Sequence, residues 1–423
     1  MTTITTDLTG LFKNTYPDNV IIKLIPDVAK LTKLIPFTQK DASLIGNEFH
    51  QMVILKEEQG FTYAAQNAGD FDLNSAISMT SGDAIVVGSQ LMLRSSMSYE
   101  VAARAASGGP AAFANATELQ VKNMLESTTK RIEIGLLHGG KGIGDAASSV
   151  NIGATSTTVQ LSTASFAAGI WAGAENAEVN FYNTSDVLVS SGADAVFVVT
   201  SVDIANRKLV ITGTATGITA LDSAITSYPG SSIYYRGAHG AEPAGLRRII
   251  TNTGSLFNID ASVHSLWKGN AVTVTGALTM KKLTDAIAVA VARGLDEDVH
   301  VFVNPITWSN LNNDLAALRG FDSSYSSSKG ENGVEEIVYH GQNGLIKVVS
   351  HNCVKEGEAF VVPLKKCRRI GASQVSFKSP GTDKDMFLHI PNKAAYEYRM
   401  YTNQSLFVES PARCVYISGI VNS

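Results

Sequence analysis

The cysteines and histidines are the residues of this chain best suited to catalysis. His351 and Cys353 are separated by one residue near the end of a predicted strand, so alternation places both side chains on one face. A thiol beside an imidazole acts as nucleophile and base in several hydrolase classes. An isolated cysteine in a strand, however, is more commonly a small core residue. Two interpretations therefore stay open, a Cys/His hydrolase and a buried structural pair.

The remaining motifs predict no catalytic, cofactor or metal site. None of the eight histidines forms a pair at helical ligand spacing, and Cys353, Cys367 and Cys414 have no partner at zinc-ligand spacing. The glycine-rich stretch 138–144 follows a predicted helix and has Gly142 after Lys141, whereas a phosphate-binding loop precedes a helix and has Ser or Thr there. We predict that this stretch ends the helix, and that the protein is not an enzyme.

Charge patterns indicate binding residues instead. Residues 57–93 contain five acidic side chains and no Lys or Arg, while 365–369 is a basic run in a chain of formal net charge −4. A segment of one sign gains little by folding back on an acidic chain, so we predict that it docks on a basic surface of a neighbouring copy. The alternative is that the acids only keep a loop tip soluble. The predicted contact residues are Glu57, Glu58, Asp70, Asp72, Lys130, Arg131, Lys365, Lys366, Arg368 and Arg369.

The composition indicates that part of the protein's surface is buried against other chains. Hydrophobic residues make up 44% of the sequence and charged residues 17%, against about 25% charged residues in a typical soluble domain. The net acidity excludes a basic coat that binds nucleic acid by charge alone. No signal peptide and no membrane-spanning segment is predicted, because the N-terminus lacks a basic and an apolar region and the longest uncharged stretch is rich in Ser, Thr and Gly.

The first half of the chain predicts extended elements around one long helix. Residues 1–45 read as an arm whose weak amphipathic pattern is interrupted by Pro26 and Pro36. Strand-like segments at 49–55 and 84–93 flank a long polar loop, which predicts an extended hairpin. Apolar residues at 3.6-residue spacing predict a helix over 112–137, with Glu118, Lys122, Glu126 and Lys130 along its other side.

The second half predicts a β module followed by mixed α and β structure. Residues 151–236 contain only nine charged side chains, and short β-rich runs recur there, which is typical of an all-β insertion. Beyond it we predict helices at 279–292 and from Pro305 to Gly320. Strands are predicted at 299–303, 345–350, 359–364, 386–390, 395–401, 405–408 and 414–417, with a loop over 321–343.

This order of parts resembles the major capsid protein of tailed bacteriophages, which has the Hong Kong ninety-seven fold. The resemblance covers about four-fifths of the chain as an order of elements. The segments that carry it are LIPDVAKLTKLIPFT (24–38) for the arm, GNEFHQMVILKEEQGFTYA (46–64) for the hairpin, VKNMLESTTKRIEIGLLHGGKGIGDA (121–146) for the spine helix, HVFVNPITWSNLNNDLA (300–316) for the axial domain and QSLFVESPARCVYISGIV (404–421) for the closing peripheral strands.

The resemblance implies an α+β tailed-phage capsid fold with an inserted all-β domain. The implied parts are an N-terminal arm (1–45), an extended hairpin (46–96), a peripheral domain with the spine helix (97–145), the inserted β domain (146–238), an axial domain with peripheral segments (239–380) and closing peripheral strands (381–423). Insertion directly after the spine helix departs from better-known coats, whose insertions come later in the chain.

The resemblance also implies the function. We expect a structural protein that assembles with itself, as hexamers and pentamers, into an icosahedral shell around double-stranded DNA that it does not read by sequence. Expected partners are portal, scaffolding and decoration proteins, with assembly in the host cytoplasm and a final place in the virion. A host-encoded shell enclosing cargo enzymes is the alternative, and a Cys/His hydrolase is the less favoured one.

Overall fold

A computed structural model describes residues 29–39, 48–100, 110–150, 153–314, 337–377 and 388–422, with the side chains of its longest helix described from residue 120 onward. The predictions made for residues 1–28, 40–47, 315–336 and 378–387 lie outside the described residues. These predictions include most of the arm, the second half of the helix that starts at Pro305 and most of the Ser/Gly-rich loop that follows it.

The described helices and strands are as follows, in chain order. The helices are α1 (Leu31–Leu34), α2 (Pro110–His138), α3 (Ala168–Trp171), α4 (Ala215–Ser227), α5 (Leu246–Ile250), α6 (Met280–Val291) and α7 (Pro305–Asn312). The strands are β1 (Phe37–Gln39), β2 (Glu48–Lys56), β3 (Thr80–Val87), β4 (Ser89–Ser98), β5 (Gly144–Val150), β6 (Ser156–Leu161), β7 (Glu178–Tyr182), β8 (Phe197–Asp203), β9 (Lys208–Thr212), β10 (Ser231–Tyr235), β11 (Ser255–Leu256), β12 (Ile259–Asp260), β13 (Asn270–Gly276), β14 (Val299–Val303), β15 (Ile337–His340), β16 (Leu345–Ser350), β17 (Glu358–Val362), β18 (Cys367–Ser376), β19 (Leu388–His389), β20 (Ala395–Val408) and β21 (Val415–Ile420).

A six-stranded sheet, ordered β13-β21-β17-β14-β16-β15, forms one half of the body. Its centre is β14, an apolar strand that pairs in parallel with β16 and antiparallel with β17. Helix α6 begins where the Thr279 side chain accepts a hydrogen bond from the Lys282 N–H, and its apolar face joins the core of this sheet. Asn304 caps α7 in the same way, with Pro305 in the first turn. The predicted helix at 279–292 and strand at 299–303 are confirmed.

A second, five-stranded sheet is built around the 14-residue strand β20. It has the order β1-β18-β20-β19, and β4 also pairs with β20, from Ala395 opposite Ser98 to Gln404 opposite Ser89. The two strands predicted at 395–401 and 405–408 are therefore one strand. Met124 of α2 packs against this sheet with Met97, Tyr398 and Met400.

The long helix is confirmed, with ends close to those predicted. It spans 29 residues and stops at the glycines, where Gly139 N–H donates to the carbonyl of Gly135 and Gly140 adopts a φ of 73°. A left-handed residue after a helix is favourable for glycine because it has no Cβ. The glycine-rich stretch thus leads straight from α2 into β5, as a helix stop and a connection.

The inserted module is a closed six-stranded barrel, ordered β10-β5-β6-β9-β8-β7. Phe181 and Phe197 meet edge to face inside it, with ring centroids 5.3 Å apart. The module is not purely β as predicted, because the 13-residue helix α4 packs against β5 and β6. Residues 215–227 are rich in Thr, Ser and Ala, and their apolar positions Ile218, Leu221 and Ile225 follow helical spacing and are buried.

Several further strands differ from the sequence predictions, and the strand predicted at 84–93 is divided at Gly88 between β3, which pairs with β2, and β4, which pairs with β20. Strand β18 was not predicted, because its first residues belong to the basic run. Strand β15 lies inside the predicted loop 321–343. The last strand, β21, pairs with β13 and β17 in the six-stranded sheet and does not close the sheet that contains β20.

Candidate assembly surfaces

Strands β2 and β3 form an antiparallel hairpin whose two faces differ in what they touch. The pairing runs from Glu48 opposite Val87 to Lys56 opposite Thr80. On the inner face, Phe49, Val53 and Leu55 pack on a small core that includes Trp267 and Phe407. Alternation then turns the even-numbered residues outward. The root of the hairpin is therefore fixed to the body, and its outer face is open.

The outer face and tip of the hairpin carry large apolar side chains in solvent. Tyr63 is 93% exposed and Leu73 is 79% exposed. We call this set the hairpin surface; its members are Met52, Ile54, Phe61, Tyr63, Phe71, Leu73, Ile77 and Met79. Single exposed apolar residues are ordinary, but eight of them on one hairpin indicate a contact surface.

The tip of the hairpin has a defined conformation of its own. Asn74 bridges it, since its backbone N–H donates to the Thr62 hydroxyl at 2.8 Å and its side-chain amide donates to the Phe61 carbonyl at 2.8 Å. The Gln59 N–H donates to the Ile77 carbonyl at 3.2 Å. The apolar side chains are thus presented from a structured loop, which lowers the entropy lost when a partner binds.

The predicted acidic residues of the tip are all at the surface. Glu57, Glu58, Asp70 and Asp72 are exposed, and none of the ion pairs among the described residues includes them. Sequence reasoning found these four charges but missed the apolar residues between them. The missed signal is the presence of Phe61, Tyr63, Phe71 and Leu73 in a loop otherwise rich in Gly, Asn, Asp and Ser.

The two predicted basic residues of the spine helix α2 are used inside the subunit. The Lys130 ammonium donates to the Ala172 carbonyl at 2.6 Å. The Arg131 guanidinium lies 3.0 Å from the centroid of the Tyr235 ring, at the end of barrel strand β10. Both side chains therefore hold the barrel against the helix within their own subunit, and a contact of theirs with a neighbouring hairpin stays a prediction.

Some side chains of the basic run 365–369 lie at the surface and others in the core, because strand β18 begins within this run at Cys367. Lys365 is exposed, and the Lys366 ammonium lies 3.6 Å from a carboxylate oxygen of Glu409, which also pairs with Arg368. Arg369 is buried, as alternation along the strand requires. The remaining surface cations of the run are Lys365, Lys366 and Arg368.

Arg369 secures the root of the arm instead of facing solvent. Its guanidinium donates to the carbonyls of Ile35 at 3.0 Å and Thr32 at 2.9 Å, at the C-terminal side of α1. A third bond reaches the side-chain oxygen of Gln404 at 3.2 Å. The prediction that Arg369 contacts a neighbour is revised, since its donors are taken by its own subunit.

Glu133 of α2 secures the other end of α1. Its carboxylate accepts the backbone N–H groups of Lys30, Leu31 and Thr32, together with the Thr32 hydroxyl at 2.9 Å. A carboxylate at a helix N-terminus satisfies unpaired N–H groups and complements the helix dipole. Burial acts to raise the pKa of Glu133, but the hydrogen bonds from His351, Thr32 and Leu31 outweigh it and lower the pKa.

The His351–Cys353 pair is not arranged for nucleophilic catalysis. The ring of His351 accepts the Cys353 backbone N–H on Nδ1 at 3.1 Å and donates from Nε2 to Glu133 at 2.8 Å. The thiol itself is buried, and burial raises the pKa of Cys353 to about 12. An activated cysteine needs the opposite, a lowered pKa and access. The interpretation as a structural pair is the one this geometry supports.

Within the described ranges, no cluster of three or more His, Cys, Asp or Glu side chains has an arrangement that could hold a metal ion. No helix in the described part of the chain is long and apolar enough to span a membrane.

Comparison with known proteins identifies the fold by structure and not by sequence. No protein family and no curated protein matches the sequence. The capsid of cyanophage A-1(L) is 9% identical in sequence, and the match covers 98% of this chain and 99% of that chain with a TM-score of 0.55. The capsid of a native GTA particle is 10% identical, and that match covers 97% of each chain with a TM-score of 0.50. This chain therefore has the Hong Kong ninety-seven-type fold of tailed-phage major capsid proteins, with an added β-barrel.

Proposed function

We propose that this protein is the shell-forming subunit of a phage capsid, assembling with itself into hexamers and pentamers. The hairpin surface is the observation that carries the proposal, because its apolar side chains are exposed in the isolated subunit. A capsid fold gives such a surface a natural partner, namely another copy of the same chain.

In this proposal the hairpin of one subunit lies on its neighbour. Burial of the hairpin surface supplies most of the contact energy, at about 25 cal/mol per Å² of apolar area. The acids Glu57, Glu58, Asp70 and Asp72 steer the tip toward the surface cations Lys365, Lys366 and Arg368. Exposed ion pairs contribute about 0.2–1 kcal/mol each, so they set register and association rate more than strength.

We further propose that the shell encloses double-stranded DNA without reading its sequence. The formal net charge of −4 supports this, since a strongly basic wall would bind the packaged DNA through its phosphates. Portal and scaffolding proteins, and a decoration protein, are the partners expected in such a particle. The proposal places assembly in the host cytoplasm and the product in the virion.

The assembly proposal is tested by truncating the hairpin surface. Replacement of Phe61, Tyr63, Phe71 and Leu73 by Ser should abolish shells in electron micrographs and leave smaller species on size exclusion. The matched control is Gln66→Ser, which shortens an exposed polar residue of the same tip and should assemble as the parent does. Normal shells from the fourfold variant would refute a role for the hairpin surface.

The DNA proposal is tested separately on particles isolated from infected or expressing cells. Nuclease-resistant double-stranded DNA of uniform length inside the shells is the expected result. Shells that contain a co-purifying enzyme and no nuclease-resistant DNA would contradict the proposal and favour a host-encoded shell.

A further inference from the structure

A short loop between β16 and β17 touches the spine helix and the barrel, and it is linked to the arm through Glu133. We call residues 351–357 the junction loop; every one of them except Asn352 is buried. The loop is held to the body by the His351 N–H, which donates to the Val303 carbonyl at 2.8 Å, and by the Asn304 side chain, which donates to the Val354 carbonyl at 2.9 Å.

His351 is the residue that links the junction loop to the arm. Its Nε2 donates to Glu133, the carboxylate that also holds the first N–H groups of α1. Its Nδ1 accepts the Cys353 N–H, so the ring orientation fixes the backbone on both sides of Asn352. The Cys353 carbonyl in turn lies 2.9 Å from Nε2 of His138 near the end of the spine helix.

The junction loop contacts the barrel from Asn352 onward, through three backbone hydrogen bonds. The Gly169 N–H donates to the Asn352 carbonyl at 2.9 Å, the Glu356 N–H to the Phe166 carbonyl at 2.9 Å, and the Gly357 N–H to the Ala164 carbonyl at 3.0 Å. The approach is close, because a Cβ on Gly169 would lie 2.7 Å from the carbonyl carbon of Asn352.

Two charged side chains strengthen the barrel side. Glu356 pairs with Arg207 through two hydrogen bonds, at 3.0 Å and 2.9 Å. The buried Lys355 ammonium donates to the Gly142 carbonyl at 3.0 Å, at the connection between the spine helix and the barrel. A bidentate pair of this kind fixes orientation as well as distance.

We propose that the junction loop couples anchoring of the arm to docking of the barrel. Oε1 of Glu133 accepts from both α1 and His351, so a turn of this carboxylate away from α1 also removes the acceptor of His351 and frees its ring. The Cys353 N–H then loses its partner, and the Asn352 carbonyl is no longer aimed at Gly169. The arm anchor and the barrel contact therefore open together more often than two independent contacts would.

Hydrogen exchange of the full-length chain, measured by mass spectrometry, tests the coupling in both directions. Glu133→Gln leaves a single acceptor oxygen for the donors of α1 and His351 and should speed exchange at Gly169, Glu356 and Gly357 by roughly fivefold or more, the lower end of typical coupling between sites. Arg207→Gln, made on the barrel side, should in turn speed exchange at Leu31 and Thr32, because coupling between two contacts acts in both directions.

The control for general loosening of the barrel is Arg236→Gln, which removes an exposed ion pair with Glu178 away from the junction loop. It should leave exchange at Leu31 and Thr32 unchanged. The proposal is overturned if Arg207→Gln leaves those two amides unchanged, or if Arg236→Gln speeds them equally. Should Glu133→Gln fail to fold, the Arg207→Gln comparison alone decides the matter.

Discussion

At the scale of single residues, burial determines whether a side chain is reactive and accessible or serves only to hold the fold together. His351 and Cys353 have the composition of a catalytic pair, yet the imidazole is committed to a backbone N–H and to Glu133. The sequence could not predict this, because Glu133 lies a hundred residues from the helix that it caps. Arg369 looked like one cation of a surface run, and only the strand that begins there turns it inward.

Cys353 should be unreactive in the folded protein. Burial raises the pKa of its thiol to about 12, so almost no thiolate exists at neutral pH. A thiol-specific reagent at pH 8 should label Cys353 only after denaturant is added. Rapid labelling of Cys353 in the native state, identified by peptide mapping, would revive the hydrolase interpretation.

Glu133 should make stability depend on acid pH. Its pKa is lowered in the folded state, so its contribution is fully present above its unfolded pKa and is lost as pH falls through the folded value. Glu133→Gln should cost roughly 1.5–3 kcal/mol at pH 7, the range for hydrogen bonds to a charged group. Urea unfolding at pH 7 and near pH 3 measures this. An equal cost at both pH values would mean that the carboxylate charge plays no part.

At the scale of elements, the predictions that succeeded rest on local periodicity. The spine helix, α6 and β14 follow from apolar spacing, caps and glycine stops that lie within each segment. Those that failed depend on partners distant in the chain. Strand β18 starts with charged residues and is a strand because β20 and β1 pair with it. Lys130 and Arg131 contact the barrel, which no pattern within the helix reveals.

The acids of the hairpin tip should control the rate of assembly. Replacing Glu57, Glu58, Asp70 and Asp72 by their amides should leave the subunit folded, since the four residues are exposed. Light scattering should show slower assembly and a weaker dependence on salt, because steering by charge is lost. If both the rate and its salt dependence stay as in the parent, these charges do not dock the hairpin.

The barrel should fold as an isolated fragment spanning residues 144–236. Its strands close on themselves, and its core side chains, such as Trp171, Phe181 and Phe197, come from within that range. We expect dispersed amide resonances and a cooperative thermal transition. A fragment with a random-coil spectrum would mean that contacts with α2 and the junction loop are required for folding.

At the scale of the whole molecule, two sheets, a long helix and an inserted barrel form a body from which an apolar hairpin is presented outward. The order of elements indicated this architecture, because each part has a distinct local pattern. The way the parts join could not be predicted, because the contacts of Glu133, Arg131 and the junction loop connect segments far apart in the chain.

Self-assembly through the hairpin is the central claim, and electron cryomicroscopy of the purified full-length protein tests it most directly. We predict closed shells in which each hairpin lies against a neighbouring subunit, with the hairpin surface buried. A protein that remains monomeric at high concentration in every buffer, or shells in which the hairpins project freely into solvent, would contradict the account.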